Sequence, residues 1–185
     1  MQSKSILFSV LLSVIIVSFG FINSNMTPSL PFKVSFSDLT EGAKEQVTCL
    51  AENIYFEAGV EPEDGKKAVA FVTINRLQSG FAKDICGVVK QKTGHTCQFS
   101  WYCDKEITKK RLTIKDTAAY NQILELSTNV FINYDKMEDV TEGATYYHAD
   151  YINPKWRHLD KIKQIGRHVF YRHKDDSIDR NKRII

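Results

Sequence analysis

The sequence predicts an α+β domain with a helical core and a small β-hairpin or sheet. Apolar residues recur at three- and four-residue steps in three stretches, which is the spacing of one helical face. Strand-like patterns are confined to short stretches at 98–102, 144–149 and 169–171. The chain has 185 residues, of which 43% are hydrophobic and 25% are charged. This length and composition favour one globular domain.

The beginning of the chain has the pattern of an export signal. Residues 6–22 contain no charged side chain and follow Lys4. This apolar run is also close to the lower length limit of a membrane span. We therefore expect residues 1–24 to be either a cleaved signal peptide or an N-terminal membrane anchor. In both cases the rest of the chain is exported to the periplasm or the cell envelope.

Composition divides the rest of the chain into three segments. Residues 25–40 are predicted to be a linker, because Pro28 and Pro31 disfavour regular structure there. Residues 41–174 are expected to form the folded domain. Residues 175–185 mix basic and acidic side chains and are predicted to be a charged, solvated tail.

The first two predicted helices follow each other closely. Thr40 is a good N-cap for a helix that begins at Glu41, and Gly59 is expected to end that helix. Pro62 fits the first turn of a second helix, and Ser79–Gly80 is expected to end it.

One further long helix is predicted after residue 115. It begins at Asp116 and carries Ala119, Ile123, Leu126 and Val130 at helical spacing. The other expected elements are a short helix at 84–90, a turn at 93–95, and strands at 98–102, 144–149 and 169–171.

The charge balance narrows the choice of partners. The formal net charge is +3, and the sequence pI is about 8.6. So small an excess argues against a nucleic-acid partner, but it fits attraction to an anionic envelope polymer.

Two disulfides are predicted from the four cysteines, because the count is even and the chain is expected to be exported. Sequence alone allows three pairings. We favour Cys86–Cys97 together with Cys49–Cys103. A zinc site is the alternative, although the spacing lacks the C-x-x-C pairs typical of zinc ligands.

Glu57 is the strongest candidate for a catalytic residue. It shares a helical face with Leu50 and Ile54, so its carboxyl is expected to be partly desolvated. Desolvation and the C-terminal end of a helix both raise the pKa of a carboxyl and favour its protonated form. A general acid for glycosidic cleavage needs such a proton. The alternative is structural, with the side chain either pointing into solvent or pairing with Arg76.

Five blocks of the sequence support the catalytic interpretation. They are LAENIYFEAGVEPEDGKKAVAFVTINR at 50–76, ICGVVKQ at 85–91, CQFSW at 97–101, GATYYHADYINPKW at 143–156 and IGRHVFY at 165–171. Together they resemble the cell wall hydrolase family typified by spore cortex-lytic enzymes. The blocks occur in the family's order, which is far more specific than any one of them.

The resemblance implies a lysozyme-like fold and an enzyme that cuts the glycan strands of peptidoglycan, as several relatives do as lytic transglycosylases. The family's catalytic glutamate lies in a Y-x-E-A block, which places that role at Glu57. Residues of the other blocks line the family's substrate groove. The corresponding candidates here are Asn75, Gln98, Phe99, Ser100, Tyr146, Tyr147, His148 and Trp156. We expect no metal, no other cofactor and a monomer.

The implied reaction breaks the β-1,4 bond between N-acetylmuramic acid and N-acetylglucosamine. A lytic transglycosylase needs one carboxyl, because a hydroxyl of the same sugar attacks instead of water, whereas ordinary glycosidases use two carboxyls. The candidates for a second carboxyl are Glu61, Asp64, Asp104, Glu142 and Asp150.

Aromatic residues are candidates for packing against sugar rings. On the predicted strand at 98–102, Gln98 and Ser100 would point away from Phe99. Either the two polar side chains face the sugar and Phe99 faces the core, or the arrangement is reversed.

Two other functions are compatible with parts of the sequence. One is a zinc-dependent amidase or peptidase that acts on the stem peptide, although no H-x-x-x-H or H-E-x-x-H spacing is present. Its ligands would come from Glu57 and from His95, His148, His158, His168 and His173. The other is a non-catalytic wall-binding module on the same fold.

Overall fold

The computed structural model of the chain describes residues 34–114 and 117–174, and within these residues it confirms the predicted α+β class. The helices are α1 (Glu41–Ala58), α2 (Glu63–Gln78), α3 (Ile85–Val89), α4 (Ser100–Cys103), α5 (Lys105–Ile114) and α6 (Ala118–Asn133). The strands are β1 (Lys92–Thr93), β2 (Thr96–Cys97), β3 (Tyr146–Ala149), β4 (Leu159–Ile165) and β5 (His168–His173).

Helix α1 is the centre of the main core. It packs against α2, α3 and α6, and its residues Val47, Leu50 and Ile54 are fully buried. The Oγ1 atom of Thr40 accepts a hydrogen bond from the backbone N–H of Ala43 at 3.3 Å, which caps the first turn. The predicted cap and the predicted start of this helix are therefore confirmed.

Helix α2 connects the main core to the sheet. Its residues Ala68 and Val72 pack with Ala144 and Phe170 in a second, smaller core. Because residues four apart share a helical face, Arg76 continues this face by one more turn. The end of α2 therefore lies beside the start of β3.

The main sheet is antiparallel, with the strand order β3-β5-β4. In its register Tyr147 lies opposite Phe170, and Tyr146 lies opposite Tyr171. Neighbouring residues of a strand point to opposite faces of a sheet. Tyr147 and Phe170 therefore face the helices, whereas Tyr146 and Tyr171 lie on the other face.

Most predicted elements are confirmed, with shifts of a few residues at their ends. The short helix at 84–90 is α3, and the strands at 144–149 and 169–171 are β3 and β5. Strand β4 was not predicted, because lysines and an aspartate interrupt its apolar alternation and a bulge separates Lys161 from Lys163. Helix α5 was not predicted either, because seven of its ten residues are polar or charged.

The predicted strand at 98–102 is wrong, because the chain turns into helix α4 at Ser100. Trp101 is buried, and its Nε1–H donates to the side-chain oxygen of Asn53 on α1 at 3.0 Å. Its ring also stacks on Phe56 with 4.7 Å between ring centroids. Tertiary packing of one large aromatic residue has thus overridden a local preference for strand.

The predicted disulfide pairing is also wrong. Cys49 on α1 bonds to Cys86 on α3, with 5.3 Å between the Cα atoms. Cys97 bonds to Cys103, with 5.8 Å between the Cα atoms. The packing of α1 against α3 brings together two cysteines that are 37 positions apart. No spacing rule indicates such a contact, and all four cysteines are used in these bonds.

Some predictions concern residues that the structure does not describe. The signal peptide or anchor at 1–24, the start of the helix at Asp116 and the tail at 175–185 lie outside the described residues. Within the described ranges, no helix combines the length and the apolar character needed to cross a membrane. Of the predicted linker, Phe36 and Leu39 pack against the main core.

Candidate active site

Glu57 lies in the last turn of α1, where its carboxyl is half-buried. The phenolic O–H of Tyr147 on β3 donates a hydrogen bond to Oε2 of Glu57 at 2.9 Å. Desolvation raises the pKa of Glu57, while the Tyr147 hydrogen bond and the positive charge of Arg76 pull it partly back. The net effect raises the pKa, which is the direction that favours the protonated form a general acid needs.

Tyr147 forms one wall around this carboxyl. Its ring contacts His168 edge-on, with 5.0 Å between centroids, and it packs on Phe170 at 5.7 Å. Burial and the neighbouring carboxyl of Glu57 raise the pKa of Tyr147 well above its usual range. Tyr147 therefore stays a neutral hydroxyl that can donate to Glu57 throughout the physiological pH range.

Arg76 forms a second wall. Its side chain is only 3% exposed, and its Nε–H donates to the backbone oxygen of Thr145 at 2.7 Å. The guanidinium carbon lies 4.9 Å from the ring centroid of Phe99 and 5.9 Å from that of Tyr146, which is cation–π range. In the described part of the chain, Arg76 acts on Glu57 by charge and forms no direct ion pair with it.

Asn75 is buried beneath the site. Its Nδ2 group donates to the side chains of Asp139 at 3.0 Å and Thr141 at 3.2 Å, and to the backbone oxygen of Ala144 at 3.0 Å. Asp139 also accepts hydrogen bonds from the backbone N–H groups of Thr141 and Gly143. The network fixes the loop that leads into β3 and so places Tyr147.

The sequence did not indicate the part that Asp139 plays in this network. A short polar turn, Asp-Val-Thr-Glu-Gly, is the only local signal of it. Gly143 in this turn has φ +87°, a conformation that favours glycine.

Phe99 lies in the core, whereas Gln98 and Ser100 on either side of it are exposed. Of the two arrangements considered from the sequence, the structure has the one in which the polar pair faces outward. The Cys97–Cys103 disulfide closes the loop that carries all three residues. Gln98 and Ser100 are thus held near the aromatic ring that packs on Arg76.

Tyr146, His148 and Trp156 form a half-buried aromatic cluster with Tyr171. The ring centroid of Trp156 lies 5.6 Å from that of His148 and 5.4 Å from that of Tyr171. Nε2 of His148 lies 3.0 Å from the hydroxyl oxygen of Tyr171, within hydrogen-bond distance. By strand alternation this cluster lies across β3 from Tyr147, and Tyr146 connects it to Arg76.

Structural contacts hold four of the five candidate second carboxyls. Glu61 is buried, and its Oε2 accepts a hydrogen bond from the backbone N–H of Arg167 at 3.0 Å. Asp104 accepts hydrogen bonds from the first N–H groups of α5. Oδ1 of Asp150 lies 3.8 Å from Nε of Arg167, and Glu142 forms an ion pair with Lys163. Asp64 is exposed in the first turn of α2.

The five histidines do not form a metal site in the described ranges. No three His, Cys, Asp or Glu side chains there are grouped so that they could hold a metal ion. His95 is exposed in the β1–β2 turn, and His158 stacks on His173 at the outer end of the sheet. His168 lies beside Tyr147, and its buried Nδ1 has no hydrogen-bond partner among residues 34–114 and 117–174.

A helical core that presents a half-buried carboxyl to a small antiparallel sheet is a lysozyme-like arrangement. The chain belongs to the Cell Wall Hydrolase family, which matches residues 60–171. The matched region includes Arg76, the 98–100 segment, strands β3 and β4 and most of β5. It begins just after Glu57, so the role of Glu57 depends on the geometry described above.

Two curated relatives are spore cortex-lytic enzymes. The one from Bacillus subtilis (strain 168) is 28% identical over 131 residues, which are 69% of this chain and 38% of the relative. The one from Halalkalibacterium halodurans is 28% identical over 127 residues, which are 67% of this chain and 34% of the relative. The chain therefore spans a little more than a third of the length of the curated relatives it matches.

Two solved structures share the fold. The catalytic domain of the Bacillus cereus SleB protein superposes with a TM-score of 0.50 at 23% identity, covering 70% of this chain and 91% of that one. The catalytic domain of the germination-specific lytic transglycosylase SleB from Bacillus anthracis gives a TM-score of 0.51 at 23% identity, covering 72% and 97%. At this identity the likeness establishes a common fold.

Proposed function

We propose that this protein cleaves the glycan strands of peptidoglycan at the β-1,4 bond between N-acetylmuramic acid and N-acetylglucosamine, as a lytic transglycosylase with Glu57 as general acid and base. The observation that carries the proposal is the half-buried Glu57 carboxyl, whose pKa desolvation raises and whose oxygen Tyr147 holds. The family and the names of the relatives support the choice of substrate.

In the proposed reaction Glu57 donates its proton to the bridging oxygen, which leaves with N-acetylglucosamine. Positive charge develops on C1 of the muramic sugar. The C6 hydroxyl of the same sugar attacks C1, and its proton returns to Glu57. The C1–O bond to the leaving sugar is broken, a C1–O6 bond is formed, and no water is consumed. One carboxyl is enough for this cycle, whereas hydrolysis with two would need a partner at a defined distance.

The residues around Glu57 have different parts in this proposal. Gln98 and Ser100 are exposed and would hydrogen-bond the edges of the sugars, while Tyr146, His148 and Trp156 would pack against their rings. Asn75, Phe99 and Tyr147 are buried or half-buried, and we assign them to holding Arg76, Glu57 and the start of β3 in place.

The proposed place of action is outside the cytoplasm. Peptidoglycan lies in the envelope, so the apolar segment at 6–22 would serve as an export signal or as a membrane anchor. The net charge of +3 would favour approach to an anionic wall. No nucleic-acid partner and no cofactor enter the proposal.

The decisive experiment compares Glu57→Gln with wild type on purified sacculi. Loss of general acid catalysis is expected to lower the rate about 10²–10⁴-fold. Glu45→Gln is the matched control, because Glu45 lies on the exposed side of the same helix. Lytic activity of Glu57→Gln equal to that of Glu45→Gln would reject Glu57 as the catalytic acid.

Mass spectrometry of the released fragments then distinguishes the reaction types. The proposal expects 1,6-anhydromuramic ends. Products that are one water heavier, with reducing ends, would indicate a hydrolytic muramidase instead. Release of stem peptides that a chelator abolishes would indicate the zinc amidase, and binding to sacculi without any released product would indicate a wall-binding module.

A further inference from the structure

Arg76 is a buried cation whose hydrogen-bonding capacity is not used up. Its Nε–H is bonded to Thr145, but Nη1 is buried and has no hydrogen-bond partner in the described part of the chain. The rings of Phe99 and Tyr146 lie within cation–π range but carry no negative charge. Burying a cation without a paired anion is costly, so its persistence here requires a reason.

The nearby group that can supply a negative charge is Glu57. The charge of Arg76 lowers the pKa of Glu57, so the two side chains interact electrostatically. Residues 145–147, at the start of β3, hold both Arg76 and Glu57. The backbone oxygen of Thr145 holds Arg76 at 2.7 Å, and the hydroxyl of Tyr147, two residues on, holds Glu57 at 2.9 Å. This segment fixes the position of the cation relative to the acid.

We propose that Arg76 is a positioning residue of the reaction, whose guanidinium stabilises the Glu57 carboxylate that forms when the proton is delivered to the leaving sugar. This inference rests on the proposed function. In the proposed resting state Glu57 carries the proton to be delivered, and Nη1 of Arg76 has no hydrogen-bond partner among the described residues. After proton transfer the half-buried carboxylate needs a counter-charge, and the unused Nη1 donor supplies it. When the C6 hydroxyl returns a proton, the interaction weakens and the resting state is restored.

The charged and titratable surroundings of this pair can be named. Glu57 is faced by Tyr147 from β3 and by Arg76 from α2. Arg76 is faced by Tyr146, Tyr147 and Glu57. The other nearby charges, which are those of Glu61, Asp150 and Arg167, act on His168 on the far side of Tyr147. The groups concerned are therefore one acid and one cation, with two tyrosines beside them.

The test replaces Arg76 with Gln, Met and Lys and follows the protonation of Glu57 directly. Carboxyl-carbon NMR with labelled glutamate reports this titration without any need for activity, and Glu57→Gln identifies the Glu57 signal. Without the positive charge of Arg76, the titration of Glu57 is expected to move to higher pH in Arg76→Gln and Arg76→Met. It is expected to stay near wild type in Arg76→Lys.

The activity profile should follow the same order. Since Glu57 acts in its protonated form, the basic limb of kcat/KM against pH moves up with the titration in the two neutral variants. Because the conjugate base loses its counter-charge, kcat falls at least about tenfold while KM changes little. Arg76→Lys should recover most of kcat. Lys44→Met on α1 removes an equal charge at the surface and serves as the control for net charge.

The possible results separate cleanly. A lower activity with an unmoved Glu57 titration in Arg76→Gln and Arg76→Met would overturn the proposal, because a merely structural residue behaves in that way. If neither neutral variant folds, a titration in Arg76→Lys that departs from wild type would overturn it. Retained lysis by Glu57→Gln would instead refute the proposed function, whatever the titration of Glu57 shows in the Arg76 variants.

Discussion

Two glutamates near the junction of α1 and α2 lie only four positions apart, yet their surroundings differ. Glu57, in the last turn of α1, is held by a tyrosine hydroxyl, and burial raises its pKa. Glu61, in the loop that follows, is held by the backbone N–H of Arg167 in the β4–β5 turn. Both carboxyls accept a hydrogen bond, but the donor to Glu57 is a side chain of the sheet and the donor to Glu61 is a backbone group of a turn.

The difference shows that burial alone does not make a glutamate a candidate catalytic acid. Glu61 is 7% exposed, which makes it more buried than Glu57, but it fills a fixed structural place against Gly65 and Gly166. A Cβ atom on Gly65 would lie 2.8 Å from the Cβ of Glu61. What distinguishes Glu57 is a pKa that desolvation raises, together with the hydroxyl of Tyr147 and the charge of Arg76 beside it. The same substitution should therefore have a large effect on activity at Glu57 and a small one at Glu61.

The largest expected effect comes from changing each glutamate to glutamine. Glu57→Gln removes the proton and should lower the lytic rate about 10²–10⁴-fold. Glu61→Gln keeps an oxygen that accepts from Arg167, so its activity should stay near wild type and its stability should change by about 1 kcal/mol or less. Lysis rates on sacculi and thermal melts measure both. Equal losses of activity would mean that Glu61 also takes part in the chemistry.

The pH dependence of the free energy of unfolding gives a second test of the surroundings of Glu57. The pKa of Glu57 is higher in the folded than in the unfolded state, so the folded state binds more protons. Glu57 therefore lowers the free energy of unfolding as pH rises from the ordinary glutamate pKa through the pKa of Glu57 in the folded state. Glu57→Gln should consequently be more stable than wild type at neutral pH and no more stable at pH ~3, below both pKa values. A glutamine variant that is less stable at neutral pH would contradict the burial argument.

The sequence was sufficient to predict the partly desolvated surroundings of Glu57, but it did not predict the contact that holds Glu61. The spacing of Leu50, Ile54 and Glu57 on one helix indicates a desolvated carboxyl, because helical periodicity is local. The contact of Glu61 with Arg167 joins residues 106 positions apart. It depends on strand β4 and its bulge, which the sequence pattern did not reveal.

The same limit explains the other differences from the predicted site. The α1–α3 contact that pairs Cys49 with Cys86, and the packing of Trp101 on Asn53, are both long-range. The eight predicted groove residues come from resemblance, and the structure separates them into exposed, clustered and buried groups. Asn75 is the clearest case, since its amide is taken up by the loop at 139–144.

The next effect in size is expected from Gly166→Ala. Gly166 has φ +55°, and a Cβ there would overlap Oε2 of Glu61. The left-handed conformation alone costs an alanine about 1–2 kcal/mol, and displacing Glu61 would leave the Arg167 N–H unpaired at a further cost of about 1–3 kcal/mol. Denaturant unfolding measures the sum. Gly80→Ala is the control, since Gly80 has φ +80° with open space around its Cβ position and should lose only the conformational part.

The smallest effect is expected from Tyr147→Phe, which removes one hydroxyl and keeps the ring against Phe170 and His168. The hydrogen bond from Tyr147 lowers the pKa of Glu57, so its loss should raise that pKa and move the basic limb of kcat/KM to higher pH. A lost hydrogen bond to a charged group is worth about 1.5–3 kcal/mol at most, so kcat should fall about tenfold or somewhat more. Glu61→Gln should leave the same limb in place. If instead Tyr147→Phe left the limb unmoved and Glu61→Gln shifted it, the assignment of the two carboxyls would have to be exchanged.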